Sequence, residues 1–126
     1  MREDLKELLE VADDDLKVAK DNVRLKNFRI SSFLCQQAVE KYLKAFLLSR
    51  RGSYPFIHSI RMLVYLCIQV DEEFEYLFEI TVDKLDKFYT GTRYLPVIKI
   101  SEEEAREALE IAEKVRDFVL KKLMFK

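Results

Sequence analysis

Chemistry near neutral pH has one obvious candidate in this chain, its single histidine, His58. An imidazole is the side chain whose ordinary proton affinity lies closest to physiological pH. His58 sits between a Pro-containing loop and the start of an apolar-periodic run, with Arg50 and Arg51 before it and Arg61 after it. Cleavage of RNA through its 2′-hydroxyl requires a base and a cation beside the charge that develops at phosphorus. His58 could be the base, and an arginine such as Arg51 or the later Arg93 could supply the cation. The competing reading is a histidine at a helix start that merely packs and hydrogen-bonds.

A second group lies further on. Tyr-Thr-Gly-Thr-Arg-Tyr, ending in Arg93 and Tyr94, combines a guanidinium, hydroxyls and aromatic rings in one short stretch. Arginine binds phosphate with two parallel hydrogen bonds and tyrosine stacks on bases, so Arg93 and Tyr94, with Lys44, are candidate nucleotide or RNA contacts. The same loop could instead pack its rings on helix ends and pair its arginine with a carboxylate. A third group, Gln37, Glu40, Lys41 and Lys44, occurs in FLCQQAVEKYLKAFL and maps to the side of a helix opposite Cys35, Ala38, Tyr42 and Phe46. Glu40 and Lys44 have the favourable i, i+4 order. Gln37, Glu40 and Lys41 suit a partner surface, the alternative being a solvated outer face. Cys35 and Cys67 show no ligand spacing to each other or to histidine, so buried free thiols are expected and no metal site. Walker-type and dinucleotide loops and nucleophile elbows are absent, so no cofactor is expected.

These residues must be positioned by helices. Leu5, Leu8, Leu9, Ala12, Leu16, Ala19 and Val23 recur at three- and four-residue steps, which predicts a first helix over 2–25. The acidic run Asp13 to Asp15 could disturb it locally. Asn27 is placed to cap a second helix over 28–50, which Gly52 stops, with Pro55 keeping the next residues extended. Small residues at Ser32, Cys35 and Ala38 would let a neighbour approach closely. A short third helix is expected over 59–70, and a fourth over 71–88, capped by Asp71 and weakened by Ile80, Thr81 and Val82. YTGTRYLPVIKI reads as a loop. Ser101 and Glu104 have capping-box spacing and open the last helix.

The chain has 126 residues, of which 49% are hydrophobic and 36% charged, with two Gly and two Pro. That length gives one domain, 1–126, and the scarcity of chain breakers gives long elements. The fold expected is all-α: an up-and-down bundle of four main helices plus one short helix. A net charge of −1 supplies no bulk attraction to nucleic acid, so any basic site is local. The charged start, MREDLKELLE, has no signal-like core, and no apolar run approaches a bilayer span, so a cytoplasmic location and no membrane partner are expected.

Taken together, DLKVAKDNV, FLCQQAVEKYLKAFLLSR, HSIRML and TRYLP resemble the HEPN (higher eukaryotes and prokaryotes nucleotide-binding) domain family over almost the whole chain. The string from Cys35 to Ala45 is the most specific part. The resemblance implies a helical bundle, a homodimer, and a minimal nucleotidyltransferase as the partner in a toxin–antitoxin-type pair. It also implies nucleotide or RNA binding, with metal-independent RNase activity in several branches built on an arginine and a histidine a few residues apart. Gly52 and Pro55 fall between Arg51 and His58, which makes that interval a loop here, and no histidine follows Arg93. A non-enzymatic interaction module is the remaining alternative.

Overall fold

The computed structural model describes residues 2–91 and 98–124. The chain forms α1 (Glu3–Arg24), α2 (Phe28–Arg51), α3 (Ile60–Val70), a 3₁₀ turn (Glu72–Glu75), α4 (Tyr76–Glu79), a second 3₁₀ turn (Val82–Asp86), α5 (Lys87–Gly91) and α6 (Glu102–Met124). It is all-α, and α1, α2, α3 and α6 are the main packed helices.

Helices α1 and α2 form an antiparallel hairpin. Leu5 packs with Ala45 and Leu48, the Tyr42 hydroxyl donates to Asp13 at 2.5 Å, and the Ser31 hydroxyl donates to the Ala19 carbonyl at 2.7 Å. The acidic run leaves α1 unbroken because Asp13 and Asp15 find cations, Arg116 and Lys41. Fully buried alanines at 12, 19, 38 and 45 allow the close approach. Asn27 occupies the N-cap position of α2, but its side chain donates to Asn22 instead of capping.

Helix α2 is the axis of the molecule. It packs on α1, α6, α3 and α5, and residues on nearly all its sides are buried. Gly52 ends it in the left-handed conformation at φ 81°, where glycine bears no Cβ penalty. The chain then runs back along α2. Tyr54 lies over Lys44, and His58 reaches Glu40. Ser59 and Asp86 together cap α3: the Ser59 hydroxyl accepts from Met62 N–H, and Asp86 accepts from the N–H groups of Ile60 and Arg61.

The expected fourth helix is not continuous. Asp71 caps, as expected, but a 3₁₀ turn, and Thr81 adopts φ 61°, a left-handed conformation that no helix can pass through. The β-branched run weakened the segment enough for tertiary packing to break it. The pieces are pinned by rings: Phe74 lies 4.3 Å from Phe46 and 4.9 Å, edge-on, from Phe118. Tyr89, expected in a loop, lies on α5. The capping box of α6 forms, with Ser101 accepting from Glu104 N–H and Glu104 accepting from Ser101 N–H.

Candidate functional site

The polar residues of α2 make a ladder inside the protein. Gln36, Glu40 and Lys44 are one turn apart, on the side of α2 that faces the returning loop. Glu40 and Lys44 are each only 6% exposed. This corrects the expectation of a solvated or partner-facing side for Glu40 and Lys44: α2 is central, so the side opposite its apolar stripe is covered as well. Gln37 and Lys41, by contrast, remain half-buried at the edge.

Glu40 is the hub. Its Oε2 accepts from Lys44 Nζ at 2.9 Å and from His58 Nδ1 at 3.0 Å, and its Oε1 accepts from Gln36 Nε2 at 3.2 Å. Gln36 Nε2 also donates to the His58 carbonyl at 3.1 Å, and Gln36 Oε1 accepts from Gln37 at 2.7 Å. Lys41 joins Gln37 to Asp15 of α1. A desolvated carboxylate beside an ammonium is satisfied only when its lone pairs are used, and this network uses them.

The network fixes His58. Because a carboxylate only accepts, Nδ1 donates to Glu40, and in the neutral ring Nε2 then keeps its lone pair. The His58 ring stacks on Tyr89, with centroids 4.7 Å apart and planes 15° apart, and its side chain is 47% exposed. His58, Ser59, Asp86 and Tyr89 line an open cleft of about 400 Å³. The arrangement presents an oriented imidazole and an aromatic ring at an open cleft. A cleft of about 430 Å³ between α1 and α6, lined by Lys20, Asp21, Arg24, Lys26, Glu102 and Arg106 among others, holds no comparable acid–base group.

The other expected site residues are distributed differently. Arg51 ends α2, is exposed, and its charge is felt by the Cys67 thiol. His58 meets α2 at Glu40, and at about 1.5 Å per residue Arg51 lies roughly 16 Å further along the helix. Among the described residues no hydrogen bond or ion pair joins Arg51 to His58. Lys44 is buried, with its ammonium on Glu40 and the Tyr54 ring 5.6 Å away, and does not line the cleft. Arg93 and Tyr94 lie outside the described residues. Tyr89 opens the Tyr-Thr-Gly-Thr-Arg-Tyr stretch without being named there as a contact, and Asp86 carries no signal of type or spacing. Their signal is tertiary, because α5 and the turn before it reach His58 only in the folded chain.

Cys35 and Cys67 are buried free thiols. Burial, and secondarily Glu113, pushes Cys35 up to about 12, and burial raises Cys67 against the opposing pull of Arg51. Neither is poised as a nucleophile. Among the described residues no group of three or more His, Cys, Asp or Glu could hold a metal ion, and no helix is long and apolar enough to cross a membrane.

The HEPN domain profile matches residues 5–123. The chain belongs to the HEPN domain family. This HEPN chain is similar to TT1696 from Thermus thermophilus, with 32% identity and a TM-score of 0.76 over 94% of this chain and 97% of that one. It also resembles ST0689, an archaeal HEPN homologue, with 24% identity and a TM-score of 0.68 over 97% of this chain and 98% of that one, a likeness of fold. No curated protein matches the chain. In this HEPN bundle the Cys35–Ala45 string is the inner ladder that holds the histidine loop against α2.

Proposed function

We propose that this HEPN protein binds nucleotide or RNA at the cleft walled by His58 and Tyr89, and that it does so as one half of a toxin–antitoxin-type pair with a minimal nucleotidyltransferase. The observation that carries the binding reading is the His58 ring, oriented by buried Glu40 and stacked on Tyr89 at the mouth of an open cleft. A half-exposed ring held flat offers a base a π-face at little entropic cost. Arg93 and Tyr94 follow Tyr89 closely in sequence and are the proposed phosphate and base contacts. Family membership supports the partner, and half-buried Gln37 and Lys41 mark the proposed partner surface on α2.

The test is fluorescence anisotropy with labelled RNA and with ATP, for wild type, His58→Ala and Tyr89→Ala, alongside co-purification with a nucleotidyltransferase encoded next to this gene. Binding lost in both variants supports the site. Wild-type protein that binds neither ligand refutes it.

A metal-independent RNase is the second reading, and the Glu40–His58 contact favours it. Nε2 would take the proton of a 2′-hydroxyl, whose oxygen attacks phosphorus while the 5′-oxygen leaves. The cation would come from Arg93, or from Arg51 across the two-fold axis of a homodimer. RNA cleavage that persists with chelator and disappears in His58→Ala would establish this reading. Intact RNA after long incubation with wild type would remove it.

A further inference from the structure

We infer that the loop between α2 and α3 is a stacking strip for single-stranded RNA, with Phe56 as its central ring. The inference deepens the binding reading above and rests on it. Phe56 is 96% exposed, far more than any other phenylalanine whose exposure is described. It stands two residues from Tyr54 and two from His58, in a loop without regular secondary structure that bends at Phe56 itself. Exposure alternates along it: Tyr54, Phe56 and His58 are exposed, while Pro55 and Ser59 are half-buried and Ile57 packs on the main core. The ends of the strip are fixed by the α2 ladder, since Tyr54 lies over Lys44 and His58 is tied to Glu40. Phe56 itself contributes nothing to the core.

Arg51 stands at the near end of the strip, exposed and without an ion pair among the described residues. Successive aromatic faces with a cation at one end suit a splayed single strand, whose bases can stack and whose phosphates carry charge. A duplex keeps its bases stacked inside and cannot use such rings. The six residues between Arg51 and His58 then have their own purpose: they hold the two apart as the ends of a track.

The experiment measures binding of a labelled oligouridylate and of a blunt RNA duplex by anisotropy, for wild type, Phe56→Ala, Phe56→Trp and His58→Ala. Phe56→Ala removes an exposed side chain, so its circular dichroism spectrum should match that of wild type. One stacked base contributes about 1–3 kcal/mol, so Phe56→Ala should weaken single-strand binding about 5- to 150-fold and leave duplex binding unchanged. Phe56→Trp should retain affinity, with its emission quenched by the oligonucleotide. If Phe56→Ala binds the single strand as wild type does while His58→Ala does not, the strip is wrong and the binding reading stands. If wild type binds no RNA and no nucleotide, both fall. A changed mass in sedimentation for Phe56→Ala, with RNA affinity intact, would make Phe56 a protein anchor and overturn the inference.

Discussion

Removing the Glu40 carboxylate is the perturbation whose size the structure defines best. The Glu40 and Lys44 side chains are each 8% exposed, and their charged atoms are 2.9 Å apart. Glu40→Ala leaves the Lys44 ammonium in a desolvated position without its counter-ion, and deprives Gln36 Nε2 and His58 Nδ1 of an acceptor. Breaking a buried pair from one side costs about 3–5 kcal/mol, against total stabilities of about 5–15 kcal/mol. With a urea slope of about 2 kcal/mol per molar, the unfolding midpoint should fall by roughly 2 M. The loss should be shared with Lys44→Met, which strands the carboxylate instead. Glu40→Leu combined with Lys44→Met removes both charges, so its cost should be well below the sum of the single changes, with a coupling of about 1–3 kcal/mol. Half-exposed His58 can then turn to water. The assay is urea unfolding followed by far-ultraviolet circular dichroism. A midpoint for Glu40→Ala that matches wild type, or a double variant that costs the full sum, would show that the ladder is solvated and that Glu40 does not hold the histidine loop.

Three further outcomes are expected. Gly52→Ala should cost about 1 kcal/mol through backbone conformation alone, because an added Cβ meets nothing within 4 Å, and Gly52→Asn should cost less; thermal melts read both. Ser101→Ala opens the capping box of α6 and should cost about 1 kcal/mol in the same melts. The thiols predict an alkaline weakness. Their folded values are raised above the ordinary 9.0, so their contribution is complete below about pH 9 and is lost as pH rises toward 12. Stability measured in urea should fall by up to about 1.4 kcal/mol per pH unit per thiol in that window, less steeply in Cys35→Ala, and a thiol reagent should label neither cysteine until the protein unfolds.

Local signals were legible wherever one helical turn contains all the partners. Ser101 and Glu104 satisfy each other across three residues, and Gly52 stops α2 because only local backbone geometry is at stake. Asn27 shows the limit, since the cap position was right and the side chain chose Asn22. The 71–88 segment shows another, since weak propensity in its middle is visible in the residues but the left-handed turn at Thr81 is not. Glu40 and Lys44 were the largest miss. An i, i+4 ion pair reads the same on paper whether the helix lies at the surface or on the axis of the bundle, and nothing within α2 states which it is.

Residue order alone determined the helical class, the placement of the main helices, the buried thiols and a single titratable imidazole beside α3, because periodicity and chain breakers act over a few residues. Tertiary structure alone decided that α2 is central, that its polar side is covered, and that His58 folds back onto Glu40 and Tyr89 while Arg51 stays at the far end. The physical reason is that burial and partner choice depend on which distant segment covers a given face, and that is a property of the assembled bundle.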